Sequence, residues 1–186
     1  SYVGFISICW RSHPRCFRSK KNIYLNMEKI ISIKNLSIGF QSQLNKKNVV
    51  HSISFDIPKG KTVALVGESG SGKTITALSI LKLLPYPSAY HDAGTIIYKN
   101  NNLLKISDKE IQKIRGKYIT TIFQEPMSSL NPLHTIEKQI IEIIMIHSKI
   151  SHKEASIKTK ELLISVGLES ISDRPKSYSY ELSGGQ

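Results

Sequence analysis

The feature that most constrains the fold is a glycine-rich segment, residues 67–74, which reads Gly-Glu-Ser-Gly-Ser-Gly-Lys-Thr. An apolar run, residues 62–66, precedes it, and a segment with helical spacing follows it. In this order of strand, loop and helix, the pattern G-x-x-x-x-G-K-T predicts a loop that binds phosphate. Glycines let backbone N–H groups approach phosphate oxygens, and the helix turns its positive dipole end to the same anion. The sequence therefore predicts a nucleoside triphosphate site in an α/β fold.

The predicted nucleotide-binding residues of this loop are Gly67, Glu68, Ser69, Gly70, Ser71, Gly72, Lys73 and Thr74. Lys73 supplies a mobile charge for the β- and γ-phosphates, and the Thr74 hydroxyl is suited to bind Mg²⁺. Gln124 follows a predicted buried strand, where its amide could reach Mg²⁺ or an attacking water. A glutamine at such a position is also common as a solvated loop residue. Phe40 ends the first predicted strand, and it could either stack on adenine or pack in the core.

A second short motif closes the sequence: Leu182, Ser183, Gly184, Gly185 and Gln186. A serine at the start of a helix offers a hydroxyl and unpaired backbone N–H groups, which together make a phosphate-sized anion site. Because one loop already surrounds the β- and γ-phosphates, this motif cannot easily serve the same nucleotide. We therefore expect it to complete a site on another copy or on a paired domain.

Strand and helix patterns alternate in the first two thirds of the chain, as in an open α/β sheet. Alternating or continuous apolar residues predict strands at 29–40, 49–57, 62–66, 95–98 and 118–123. Helical spacing predicts a helix over 73–84, and capping-box spacing predicts two further helix starts, at residues 107–110 and 151–154. Gly167 is expected to close the second of these helices, and no strand pattern occurs between 132 and 181. The predicted fold is a RecA-like P-loop NTPase core with antiparallel strands at its N-terminus and an inserted, all-helical subdomain. The predicted divisions are a non-native or disordered extension (1–26), the core (27–131) and the helical subdomain (132–186).

Composition narrows the class of protein further. The net charge is +12, and five of these charges lie in residues 1–26, which contain no acid. The other lysines are scattered, so we predict no nucleic-acid partner. Both cysteines, Cys9 and Cys16, also lie in the first 26 residues and form neither a zinc-site nor a disulfide pattern. The chain has no apolar run long enough to span a bilayer. A targeting or membrane-surface role for residues 1–26 is the alternative to a disordered extension.

The order of Phe40, the loop at 67–74, Gln124, a helical insert and residues 182–186 resembles ABC transporter ATP-binding proteins, over residues 27–186. Residues 123–132, Phe-Gln-Glu-Pro-Met-Ser-Ser-Leu-Asn-Pro, are similar to the oligopeptide, dipeptide and nickel importer branch and to the first half of fused peptide or microcin importers. The resemblance implies ATP and Mg²⁺ as cofactors. It also implies a peripheral position on the cytoplasmic face of the inner membrane, and a role in ATP-driven import of peptides or similar solutes.

The resemblance also implies partners and residue roles. The partners would be a second nucleotide-binding domain, integral membrane permease subunits and a periplasmic solute-binding protein. Lys73 and Thr74 would hold phosphate and Mg²⁺, and Gln124 would link the nucleotide to the helical region. Ser183 and Gly185 would contact the γ-phosphate of the nucleotide on the partner domain.

The sequence departs from the family in two ways. It has no run of four apolar residues followed by Asp-Glu, and no histidine at the place of the family's switch histidine. We therefore expect an N-terminal fragment that ends at the signature motif and hydrolyses ATP poorly by itself. Two other functions remain open at this point: a soluble ABC ATPase that acts on ribosomes or DNA, and an inactive truncated product.

Overall fold

The computed structural model describes residues 28–43, 45–123, 129–174 and 176–186. The chain forms two compact units, the first ending at Thr121 and the second running from Ile122 to Gln186. The predicted extension, residues 1–26, lies outside the described residues. The boundary predicted after residue 131 stays a prediction.

The first unit contains a four-stranded antiparallel sheet in the order β2-β1-β3-β4. The strands are β1 (Lys29–Gln41), β2 (Lys46–Pro58), β3 (Ala89–Tyr98) and β4 (Asn101–Asn102). The central strand, β1, pairs with β2 on one side and β3 on the other along most of its length. This sheet confirms the predicted antiparallel strands near the N-terminus.

Alternate residues of β1 point into the core of the first unit, and a bulge in the strand changes which residues these are. Ile31 and Ile33 are buried, then the buried positions shift to Leu36 and Ile38. The register of both neighbouring strands shifts between residues 33 and 37, and Asn35 has a φ of +48°. Asparagine adopts this left-handed conformation more readily than most residues. The extra residue of the bulge thus reverses the in–out alternation of the strand.

Two helices complete the first unit. The first, α1 (Lys73–Ile80), is shorter than the predicted 73–84, because the chain turns at Lys82, which has a φ of +51°. The second, α2 (Asp108–Ile114), begins with a capping box between Ser107 and Glu110. Hydrogen bonds from the Ser107 side chain and backbone lower the pKa of Glu110.

Two predicted strands do not form. Residues 62–66 have no strand conformation, and Val66 is 61% exposed. Residues 118–123 form only an isolated bridge between Arg115 and Ile119, and Ile122 is 69% exposed. A strand needs the backbone of a neighbouring strand, and none of the four described strands runs beside either segment. An apolar run predicts burial, but it does not provide that neighbour.

The second unit is helical. Its helices are α3 (Ile136–His147), α4 (His152–Ser165), α5 (Glu169–Ser172) and a 3₁₀ turn (Ser179–Glu181). Two apolar clusters hold them, one of Ile136, Leu163 and Ile171 and the other of Ile141, Ile144 and Ala155. The described part of this unit contains no strand beyond a bridge between residues 135 and 178, which confirms the predicted all-helical subdomain.

Local signals set the limits of α4. Ser151 and Glu154 form the predicted capping box, and hydrogen bonds from Ser151 lower the pKa of Glu154. After the helix, Gly167 has a φ of +77°, and the Leu168 N–H donates to the Leu163 carbonyl at 2.9 Å. Glycine adopts this left-handed conformation without steric cost, so it ends the helix where the sequence predicts. Across both described units, no helix is long and apolar enough to cross a bilayer.

One histidine of the first unit makes folding sensitive to pH. His91 pairs with Ile38 in the sheet, its Nε2 atom is buried without a hydrogen-bond partner, and its Nδ1 atom lies 3.5 Å from the Tyr86 hydroxyl. Burial, and then the charge of Lys82, lower the pKa of His91 below its ordinary 6.5. The unfolded chain therefore takes up a proton before the folded chain does. The stability that neutral His91 contributes is therefore fully present above pH 6.5 and is lost as the pH falls through the lowered pKa of the folded state.

We expect His91→Gln to reduce the loss of thermal stability between pH 7.5 and pH 5.5, because glutamine does not titrate in this range. Melting curves followed by circular dichroism at the two pH values measure it. The matched control is His51→Gln, which replaces an exposed histidine of β2 and should keep the loss seen in the unsubstituted chain. An unchanged pH dependence in the His91 variant would contradict this assignment.

Candidate nucleotide-binding site

The segment predicted to bind phosphate is a tight loop that leads into α1. Gly70 and Gly72 have φ values of +80° and +85°, and the Ser71 N–H donates to the Glu68 carbonyl at 3.2 Å. Positive φ is costly for a residue with a Cβ atom. The loop therefore requires glycine at both positions to turn its backbone into the first turn of the helix.

Gly72 also fixes the loop against the sheet. A Cβ atom on Gly72 would lie 2.6 Å from the Val50 Cγ2 atom and 3.2 Å from the Val49 carbonyl oxygen. The Val50 side chain is buried in the core of the first unit. Neither valine belongs to a motif in the sequence, and their apolar pattern indicates only that the strand is half-buried. The structure gives them a second role as the surface on which the phosphate loop rests.

Lys73 holds the two ends of the loop together. Its Nζ atom donates to the Gly67 carbonyl at 2.8 Å, to the Glu68 carbonyl at 2.5 Å and to the Ser71 hydroxyl at 3.1 Å. The first turn of α1 contains no acidic residue, and no side chain caps it. Helix N–H groups and a lysine ammonium therefore lie within one short segment. This arrangement is suited to an anion of phosphate size.

Thr74, whose hydroxyl is the predicted Mg²⁺ ligand, is the second residue of α1 and is exposed. Mg²⁺ prefers oxygen ligands and is usually held by one or two protein groups together with phosphate and water. Thr74 fits that pattern as a single ligand. Within the described ranges, no group of three histidine, cysteine, aspartate or glutamate side chains could hold a metal by itself. The second predicted ligand, Gln124, lies outside the described residues.

Phe40 lies at the end of β1 nearest the phosphate loop. It pairs with Lys47 on β2 and with Ala89 on β3, and its half-buried ring packs against the core. Ile38, two residues earlier, pairs with Val50, which contacts Gly72. Phe40 is thus placed about 7 Å along the strand from the level of the loop. The Phe40 ring thus makes the core packing that was one of the two predicted alternatives. Stacking on adenine, the other alternative, stays a prediction.

The motif at residues 182–186 forms a closed turn in the second unit. The Ser183 N–H donates to the Gln186 Oε1 atom at 3.0 Å, and the Gln186 N–H donates to the Ser183 carbonyl at 3.0 Å. No atom lies within 4 Å of the position of a Cβ on Gly184 or Gly185. Leu182 packs against the cluster of Ile136, Leu163 and Ile171. The described residues thus show an anchored leucine followed by an exposed polar turn, where the sequence predicted the start of a helix.

The profile of the ABC transporter family matches residues 50–186, which include both motifs. The chain belongs to this family. The peptidoglycan transport ATP-binding protein YejF of Agrobacterium fabrum is 49% identical over 161 residues, which cover 87% of this chain and 30% of that protein. The dipeptide transport ATP-binding protein DppD of Bacillus subtilis is 43% identical over 159 residues, which cover 86% of this chain and 48% of that protein. The chain therefore spans less than half the length of these relatives.

Solved structures of ABC cassettes match the fold of this chain. A dimeric ATP-binding cassette in a post-hydrolysis state, bound to ADP and Pi, matches 84% of this chain and 64% of its own chain. Its TM-score is 0.68 and its sequence identity is 23%. A likeness at this identity shows the fold, and it confirms the predicted P-loop α/β class.

Gly72→Ala should lower the free energy of unfolding by about 2–5 kcal/mol, since a left-handed alanine costs about 1–2 kcal/mol and overpacking about 1–3 kcal/mol. Gly60→Ala is the matched control. Gly60 also has a positive φ, +67°, but nothing lies within 4 Å of its Cβ position, so only the first cost applies. Urea unfolding of both variants measures the difference. Equal losses in the two variants would show that contact with Val50 does not fix the loop.

Proposed function

We propose that this chain binds Mg²⁺ and ATP at residues 67–74, as part of the ATP-binding subunit of an ABC importer. Such a subunit couples ATP binding and hydrolysis to transport of peptides or similar small solutes across the inner membrane. The observation that carries the proposal is the loop itself, with two left-handed glycines, a lysine folded over them and an uncapped helix start. The relatives named for peptidoglycan and dipeptide transport support the substrate class.

Each predicted residue has one role in this proposal. The N–H groups of the loop and Lys73 bind the β- and γ-phosphates, and the Thr74 hydroxyl binds Mg²⁺. Phe40 stacks on adenine, and Gln124 contacts Mg²⁺ or the attacking water. Ser183 and Gly185 contact the γ-phosphate of a nucleotide held by a second domain. The exposed turn of residues 183–186 supports this last role, because it leaves the two glycines open to another surface.

The same proposal assigns partners and location. A second nucleotide-binding domain, identical, different or fused, completes the two nucleotide sites. Integral membrane permease subunits place the assembly on the cytoplasmic face of the inner membrane as a peripheral component, and a periplasmic solute-binding protein delivers the substrate. We expect the 186 residues to bind ATP with little turnover by themselves. Their sequence contains no Asp-Glu pair after an apolar strand pattern to act as the general base.

Lys73→Ala should remove the thermal stabilisation that Mg·ATP gives to the chain. A ligand at 100 times its Kd adds about 2.7 kcal/mol of stability, which is a shift of several degrees. The matched control is Lys61→Ala, which removes an exposed lysine before the loop and should keep the shift. Differential scanning fluorimetry with and without Mg·ATP measures it. A full shift in the Lys73 variant would contradict the proposed site.

Sedimentation velocity with Mg·ATP tests the role of Ser183. We expect the unsubstituted chain to form dimers in which each nucleotide lies between the phosphate loop of one chain and residues 182–186 of the other. Lys73→Ala alone or Ser183→Arg alone should form few dimers, because each substitution removes one of these two parts from both sites. A mixture of the two variants restores one complete site per mixed dimer, so part of the dimer should return. Ser165→Arg, on an exposed residue of α4, is the control and should dimerise normally. Failure of the mixture to recover would show that the motif does not act across an interface.

A further inference from the structure

The C-terminal end of α1 is held by one arginine from outside the helix. The Arg115 Nε atom donates to the Leu81 carbonyl and its Nη2 atom donates to the Lys82 carbonyl, both at 2.8 Å. The last carbonyls of a helix have no partner within the helix, and they carry the negative end of its dipole. Leu81 caps α1 and Lys82 follows it, so the Arg115 guanidinium bonds the two carbonyls just beyond the last helical residue and lies near the negative end of the dipole.

The backbone at this end of α1 has a conformation that needs support. Lys82 has a φ of +51°, although it is not glycine. The Lys82 N–H donates to the Ser79 carbonyl at 3.1 Å, and the Leu83 N–H donates to the Leu78 carbonyl at 2.9 Å, which is the usual pattern of a left-handed helix end. The Lys82 side chain donates to the Ile106 carbonyl. Such a conformation persists where surrounding contacts determine it, and Arg115 provides two of them.

The other end of the same helix is the phosphate loop. An α-helix of eight residues is about 12 Å long and moves as one body, so a tilt of about 5° at one end displaces the other by about 1 Å. A displacement of that size is about a third of the length of a hydrogen bond and is enough to break one. The contacts of Arg115, together with the contact of Gly72 with Val50, therefore set where Lys73 and the first-turn N–H groups lie.

We infer that Arg115 is a positioning residue for the nucleotide site, which acts through α1 to align the phosphate loop with the β- and γ-phosphates. This inference depends on the proposed function, because it assumes that the loop binds ATP. The sequence offers no motif that would single out Arg115, which lies more than forty residues after the loop. Its role follows from the contact between α1 and the segment after α2 (Asp108–Ile114).

The test compares ATP affinity with stability. Calorimetric titration of Mg·ATP, well below the melting temperature, should give a Kd about tenfold higher for Arg115→Ala than for the unsubstituted chain. Millimolar guanidinium chloride, far below denaturing concentrations, should bring the Kd back to within about threefold. An equal concentration of sodium chloride should not. A residue that only stabilised the fold would lower the melting temperature and leave the Kd of the folded chain unchanged.

Arg174→Ala is the matched control, since the Arg174 Nε atom also donates to a backbone carbonyl, that of Ser170 in α5, but in the second unit. It should keep the Kd of the unsubstituted chain. If Arg115→Ala does not fold, Arg115→Lys takes its place. Lysine keeps the charge but not the two-pronged geometry, so its Kd should still rise at least threefold.

Two results separate this inference from the proposed function. An unsubstituted chain that does not bind Mg·ATP at all would overturn both. A chain that binds Mg·ATP, with an unchanged Kd in the folded Arg115 variant, would overturn the inference alone.

Discussion

The attachment of α1 at both ends is the constraint on which the nucleotide site depends. At its start, Gly72 rests directly on Val50 of the sheet, and at its end the Leu81 and Lys82 carbonyls accept two hydrogen bonds from Arg115. Short helices have little stability of their own in water, so a helix of two turns takes its direction from such contacts. The first of these attachments lies within the phosphate loop, because Gly72 belongs to the loop and α1 begins at Lys73. The geometry of the loop is therefore set by the core of the first unit as well as by its own glycines.

The sequence predicted those parts of the fold that local chemistry determines. The capping boxes at Ser107 and Ser151, the glycine that ends α4 and the strands β1 and β2 all follow from neighbouring residues. The strands predicted at 62–66 and 118–123 were wrong, although the apolar patterns of these segments are as strong as those of β1 and β2. A buried parallel strand depends on backbone partners that are distant in sequence. Composition alone could not show whether such partners are present beside these two segments.

The candidate site shows the same division between local and distant information. The loop at 67–74 could be recognised because its function requires fixed spacing within eight residues. Val50 and Arg115 could not be recognised in this way, because neither belongs to a sequence motif. Only the fold places Val50 against Gly72 and Arg115 against the end of α1. Phe40 is intermediate: its position at the end of β1 was predicted, but its packing against the core was one of two open alternatives. Motifs thus identify the groups that contact a ligand, whereas the fold identifies the groups that position them.

The contacts of Lys73 bear on how the loop would accept a nucleotide. Its ammonium group donates to two carbonyls and one hydroxyl of the loop. These acceptors carry no net charge, whereas the oxygens of a triphosphate do, so a phosphate would add a Coulombic attraction to the hydrogen bonds of the ammonium group. A triphosphate would therefore replace some of these bonds at a net gain, without drawing a solvated side chain into the site. Because the lysine is already held over the loop, less of its conformational entropy remains to be lost on binding. The same contacts keep the glycine-rich backbone in its turned conformation, so the cationic group that would bind the phosphates also maintains the cradle around them.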